Sequence, residues 1–178
     1  MISGTVARGG NGVFGLLRRS VILGVLPACT AALGGADQDL LAEINAFRAR
    51  SGRGPLVLET RLSRAALMHS QDMLATNRMA HRGSDGSDTD QRLARVGYAW
   101  LAYRENIAAG LSDPRRVVAM WIDSPPHRAN MLTPQVSQMG AGYAWGPGTI
   151  TGGIPRQFWT AVFASPPLPS AEPIPPPA

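Results

Sequence analysis

With 178 residues and one cysteine, the chain has room for a single domain with a proper core and no means of forming an internal disulfide. Its formal charge of +5 comes from arginine alone, and residues 37–164 carry 14 arginines, no lysine and 11 acidic residues. No basic run interleaved with aromatic residues occurs, which argues against nucleic acid and leaves anionic envelope polymers as the weaker electrostatic partner.

Residues 1–36 read as export information. Arg18-Arg19 precede an apolar run over 21–28, and small residues follow over 29–36. An apolar run of about 8–12 residues falls short of the roughly 20 that span a bilayer, so the segment predicts a signal peptide and no transmembrane span. Arg18-Arg19-Ser20-Val21-Ile22-Leu23 also fits a twin-arginine signal, with Leu17 where Ser or Thr is usual. Cys29 follows Leu26-Pro27-Ala28, which resembles a bacterial lipoprotein cleavage box, and is the lipidation candidate. The competing reading is a small apolar residue discarded with the signal. The expected location is extracytoplasmic: secreted, periplasmic or lipid-anchored to the envelope.

The first predicted helix covers 39–50, with Leu40, Ile44 and Phe47 on one stripe and Glu43, Arg48 and Arg50 on a solvated face. A short extended link over 55–58 leads to a second helix from Thr60, whose stripe of Leu62, Ala66, His69 and Met73 makes His69 a hydrogen-bonded core residue. Gly83-Ser84-Asp85-Gly86-Ser87-Asp88 is turn chemistry without the closing Glu of a calcium loop. A short helix then runs from 89 or 90 to Val96, stopped by Gly97. Asp113-Pro114 opens another helix with Val117, Val118, Trp121 and Ile122 buried. Ser124-Pro125 repeats that grammar, which puts His127 in the first turn of a helix ending near Leu132.

Two strands, 139–145 and 157–164, are joined by a Gly-Pro-Gly loop over 146–153. Helices early and strands late predict an α+β layered domain over 37–164. The tail 165–178 holds seven prolines and is too Pro-rich to build a core.

Of three histidines, two stand in compact polar segments flanking Glu105-Asn106: Ala80-His81-Arg82-Gly83 and Ser124-Pro125-Pro126-His127-Arg128. Together they suggest one shared site, although close metal spacing such as HExxH is absent. Each residue also has a plainer reading. Glu105 pairs with backbone amides or an arginine such as Arg128, His81 caps the turn at Gly83, and His127 bonds to Glu105.

The ordered set Leu41-x-x-Ile44-Asn45-x-x-Arg48-x-x-x-Gly52-x-x-Pro55-Leu56, Ala66-x-x-His69-Ser70-x-Asp72-Met73, Ala80-His81, Glu105-Asn106-Ile107-Ala108, Trp121-x-x-Ser124-Pro125-x-His127-Arg128-x-Asn130 and Met139-Gly140-x-Gly142 resembles the CAP superfamily, also called SCP or PR-1-like, in its bacterial secreted branch. The resemblance spans about residues 39–164. It implies a three-layer α-β-α sandwich with a cleft where two histidines and two acids face one another. His81, Glu105 and His127 match three of the four. The second acid, three residues past Trp121 in eukaryotic members, is Ser124 here. Asp123 is adjacent and a candidate substitute, though one helical position turns a side chain by about 100°.

On that resemblance, His81 and His127 are the metal ligand candidates for a divalent cation such as zinc, and Glu105, Asp123 and Ser124 line the cleft. Neutral imidazole is the ligating form, and a helix N-terminus favours it at His127. Trp121 and Asn130 support the cleft. The expected function is binding of a divalent cation, a small ligand or an envelope component. One alternative is metal-assisted hydrolysis with Glu105 as base for a metal-held water. Another is a non-catalytic structural or adhesion module of the envelope.

Overall fold

The computed structural model describes residues 35–168. The arginine pair, Cys29 and the tail beyond residue 168 lie outside the described residues.

Helix α1 (Ala36–Arg50) starts three residues earlier than its apolar stripe required, with Asp37 and Asp39 in the first turn, where the helix dipole favours acids. Leu40 and Ile44 are buried as read, but Arg48 is not solvated: it is 3% exposed. Its position four residues past Ile44 continues the buried stripe. The guanidinium donates from Nε to the Gly54 carbonyl at 2.8 Å and from Nη1 to the Met131 carbonyl at 2.6 Å, satisfying backbone groups that would otherwise be stranded. Asn45 exchanges two bonds with the backbone of Leu56, at 2.9 and 2.8 Å, and so anchors the link that follows.

Strand β1 (Val57–Leu58) leads into α2 (Thr60–Thr76), whose first turn is capped by the Glu59 carboxylate accepting from the Leu62 amide. Leu62, Ala66, His69 and Met73 are all buried, as the periodicity predicts. Helix α3 (Thr89–Arg95) starts on a capping box between Asp88 and Gln91, and β2 (Ala102–Ala109) follows. Then come α4 (Pro114–Asp123), with Asp113 as its cap, and α5 (Pro125–Leu132). Strands β3 (Gln138–Ile150) and β4 (Ile154–Ser165) are longer than the sequence suggested. Their turn is a single 3-10 turn, Thr151–Gly153, so most of the Gly-Pro-Gly stretch is strand with an irregular register between Trp145 and Thr149.

Strand β2 has no counterpart in the sequence reading. Residues 105–108 are buried on both faces, which erases the alternation that marks a half-buried strand. The sheet order is β1-β3-β4-β2, parallel between β1 and β3 and antiparallel elsewhere, which leaves β2 at an edge.

Successive residues of β4 face opposite layers. Trp159, Ala161 and Phe163 pack with Leu40, Ile44, Val117, Trp121 and Met131 of α1, α4 and α5. Phe158 meets Met73, while Val162 and Ala164 meet Leu62, Ala66 and Leu93 of α2 and α3. This is the three-layer α-β-α sandwich. Among the described residues, no helix is long and apolar enough to cross a membrane.

Helix α2 lies against glycines of β3. A Cβ on Gly142 would stand 2.3 Å from Leu67 Cα, and one on Gly140 would stand 2.0 Å from the Ser63 amide nitrogen. The buried Ser70 hydroxyl donates to the Gly142 carbonyl at 2.9 Å, and α2 can come this close only because no side chain intervenes. Gly142→Ala is expected to destabilise by about 3 kcal/mol through overpacking against backbone. Gly54→Ala, with nothing within 4 Å of the added carbon, should stay within about 0.5 kcal/mol. Urea unfolding of both variants checks the contrast.

Candidate functional site at the edge of strand β2

Three carbonyls along β2 are taken by side chains. Arg104 Nη1 donates to Tyr103 O at 2.6 Å, Asn130 Nδ2 to Glu105 O at 3.2 Å and Trp121 Nε1 to Ile107 O at 3.1 Å. Their spacing of two residues puts all three carbonyls on one side of the strand. Asn106 ties the strand to α5, since its Nδ2 donates to the His127 carbonyl at 3.0 Å and its Oδ1 accepts from Asn130 at 2.9 Å. Trp121 and Asn130 therefore support the site, as expected from the sequence.

The two-residue period also sorts the side chains. Ile107 packs with Met73 and Phe158 on the α2 side, so Glu105 shares that side, whereas Asn106 shares the α4 and α5 side with Ala108.

Glu105 has its side chain 4% exposed, and both carboxylate oxygens are engaged. Oε1 accepts from His81 Nδ1 at 2.9 Å, and Oε2 accepts from Arg92 Nη2 at 2.6 Å. Burial alone would push the carboxyl up, but the His81 hydrogen bond and the Arg92 charge outweigh it and hold Glu105 below its ordinary value. Arg92 is itself buried and held on both terminal nitrogens, with Nη1 on the Ser87 carbonyl at 2.9 Å and Nη2 also on Thr89 Oγ1 at 3.1 Å. The partner of Glu105 is thus Arg92; Arg128 instead donates to the Ile122 carbonyl. The sequence reading passed over Arg92. The available signal was the demand for a cation near a carboxylate beside Ile107 and Ala108, with α3 supplying Arg92 and Arg95 between the His81 loop and β2.

His81 leaves α2 by a short loop and is mostly exposed, its Nδ1 fixed on Glu105 and not on the turn at Gly83. Because a carboxylate only accepts, Nδ1 carries a proton, and in the neutral ring Nε2 then holds a free lone pair. His127 is the third residue of α5. Its Nδ1 lies 2.7 Å from Ser124 Oγ, not on Glu105, and its ring stacks on Trp121 at 6.4 Å between centroids. Ser124 stands at the N-cap, yet its hydroxyl makes no cap bond to the helix backbone; it serves the imidazole. Burial, with the nearby His81 charge adding to it, lowers the His127 pKa below the usual imidazole value.

Asp123 ends α4 exposed to solvent and takes no part in these pairs. An open groove of about 680 Å³ runs beside the site, lined by His81, Glu105, Thr89 and the segment Trp100 to Arg104, with His127, Asp123 and Ser124 outside its lining. Among the described residues, no group of three His, Cys, Asp or Glu side chains comes together to hold a metal. His81 and His127, near enough for the charge of one to act on the other, are the imidazoles available to a cation here, and they do not form part of a four-ligand cage. Glu105, with both oxygens bound, is placed to orient a histidine and not to receive a proton from water.

A family model described as the cysteine-rich secretory protein family, CAP, matches residues 41–163. The chain belongs to the CAP family. Despite that family's name it has one cysteine, and the CAP sandwich here holds by packing. The chain is similar to the uncharacterized protein YkwD of Bacillus subtilis, 34% identical over 99 residues, which is 56% of this chain and 38% of that protein. An extracellular SCP-domain protein from Bacillus anthracis superposes with a TM-score of 0.63 at 27% identity, over 73% of this chain and 40% of the other. An outer surface protein from Borrelia burgdorferi shares the fold at a TM-score of 0.63 and 20% identity, over 73% of this chain and 92% of its own. The chain thus spans well under half of the two Bacillus proteins and nearly all of the Borrelia one.

Removing the cation from the buried CAP pair should be costly: Arg92→Met is expected to lose about 3–5 kcal/mol by stranding Glu105, and Arg92→Met with Glu105→Gln should recover part of it. The pH dependence follows from the depressed groups. His69 is lowered from 6.5, chiefly by burial, and Glu105 from 4.5, so each contributes stability that is present above its ordinary value and lost as pH falls. Urea midpoints should decline from about pH 6.5 downward and more steeply below about 4.5, with Glu105→Gln flattening the lower part.

Proposed function

We propose that this chain is an exported CAP-domain protein that binds a divalent cation of the zinc class between His81 and His127 at the edge of β2. The observation that carries the reading is the separate oxygen partner at each Nδ1, Glu105 for His81 and Ser124 for His127. With Ser124 accepting, both rings present an Nε2 lone pair, the arrangement in which outer partners orient imidazole ligands. Glu105 and Ser124 then do different jobs from the acids of a full tetrad: they hold the ligands in place. Two imidazoles would leave the cation's remaining positions to solvent or to a small ligand from the adjoining groove, so affinity would be modest. The cation itself would supply Lewis acidity to whatever completes its shell. The engagement of both Glu105 oxygens does not favour the hydrolase alternative.

Titration of zinc, magnesium and calcium into the protein, followed by heat and melting temperature, tests this. Zinc should bind and raise the melting temperature. His81→Ala/His127→Ala should abolish both effects, and Ser124→Ala should weaken binding about tenfold. An identical response from the double variant would sink the reading.

Export is supported by the charged, then apolar, then small-residue order of residues 1–36 and by the similarity to an extracellular SCP-domain protein. Cell fractionation should find the chain outside the cytoplasm. Fatty-acid labelling that is lost in Cys29→Ser would assign it to the lipid-anchored class, and labelling absent from both forms would assign it to the unlipidated secreted class.

A further inference from the structure

The groove of about 680 Å³ beside His81 is lined without a break by the segment from Trp100 to Glu105, which brings an apolar wall and a cation to the same edge of β2. Trp100 and Tyr103 meet edge to face with ring centroids 5.9 Å apart, and Leu101 between them in sequence is 68% exposed. Arg104 supplies the charge. Its Nη1 donates to the Tyr103 carbonyl at 2.6 Å, which holds the guanidinium against the outward side of the strand, and no carboxylate among the described residues lies within ion-pair distance of it. Glu105 is the one acid of the groove lining, and its two oxygens are taken by His81 and by the buried Arg92. The lining therefore keeps an unneutralised positive charge at Arg104, which favours an anionic guest.

The strand adds a second donor. Gly110 gives its amide to the Gln157 carbonyl at 2.8 Å, so by the register the even-numbered residues of β2 bond to β4, and the odd-numbered amides point outward on the same side as their own carbonyls. Side chains close those carbonyls, but among the described residues no acceptor meets the Tyr103 amide. A free amide and a guanidinium thus stand at one residue, with the neighbouring acceptors already capped. That combination suits an oxyanion, whose hydrogen bonds to a charged donor are the strong ones. It does not suit a second strand, which would need the capped carbonyls as well.

We propose that the groove at the edge of β2 is a binding site for a small carboxylate with a flat apolar body, of the arylacetate class, whose carboxylate accepts from the Arg104 guanidinium and the Tyr103 amide while its ring lies against Trp100, Leu101 and Tyr103. The charge selects the carboxylate, and the exposed leucine beside two aromatic rings selects the apolar body. The site shares its groove with the proposed cation and does not need the cation to be present.

Phenylacetate, 2-phenylethanol and phenethylamine share one body and differ in charge, so titrating each into the full chain with a chelator present, followed by amide NMR shifts, tests this. Phenylacetate should bind and move the Tyr103 amide proton downfield, with 2-phenylethanol about tenfold weaker and phenethylamine weaker still. Added salt should narrow the gap between acid and alcohol, because the guanidinium is exposed. Arg104→Gln should bring phenylacetate down to the affinity of the alcohol, and Leu101→Asn, at an exposed position that leaves the fold intact, should weaken acid and alcohol alike. His81→Ala/His127→Ala should keep the preference for the acid, so failure of the cation reading leaves this one standing. Equal binding of phenylacetate and 2-phenylethanol, an Arg104→Gln variant that still prefers the acid, or no shift at residues 100–104 overturns the proposal.

Discussion

Strand β2 is an edge strand, yet its outward carbonyls are closed by side chains from α4, α5 and its own neighbour. Trp121 reaches the Ile107 carbonyl from one helix, Asn130 reaches Glu105 from the next, and Arg104 closes Tyr103. An unpaired edge invites another strand, and filling its acceptors with indole, amide and guanidinium donors removes that invitation while docking two helices. Both histidines depend on this closure. His127 is placed because Asn106 and Asn130 hold the start of α5 to the strand, and His81 is placed because Glu105 projects from the strand's other side.

The buried Arg92–Glu105 pair is the electrostatic half of the same arrangement. A carboxylate beside Ile107 would be expelled or protonated without a cation, so Arg92 makes it affordable for Glu105 to remain charged and to steer His81. The pair adds little net stability compared with an apolar replacement, since desolvation offsets most of the attraction. It provides orientation: Arg92 is itself fixed by Ser87 and Thr89, so the chain from α3 through β2 to the His81 ring has little freedom. The same arginine also lines a cavity between α2 and α3.

Much of the fold was legible. Helical stripes at Leu40, Ile44, Leu62, Ala66 and Met73 declared their buried faces, because a period of 3.6 survives wherever one face meets solvent. Proline after Asp113 and after Ser124 marked two helix starts, since proline is suited to the first turn and to little else in a helix. Strand β2 was not legible, as burial on both faces leaves no period to read. Arg48 was misread for a related reason: long arginines are solvated in most helices, and only the carbonyl ends of Gly54 and Met131, distant in sequence, make burial the better place.

His81, Glu105 and His127 could be named as a set from order and type, because chemistry-bearing residues were few and their segments resembled one family. Their relations could not. Sequence order carries no information on which oxygen meets which nitrogen, so the assignment of His81 to Glu105, His127 to Ser124 and Glu105 to Arg92 came from tertiary structure alone. The sequence by itself determined the buried helical faces and the proline-marked helix starts, which rest on local propensity and periodicity, while its resemblance to one family supplied the three-layer arrangement and the candidate site residues. Only the folded chain decided that a serine replaces an acid as the partner of a histidine and that an unremarked arginine secures the central carboxylate, since each depends on distances between segments brought together by packing.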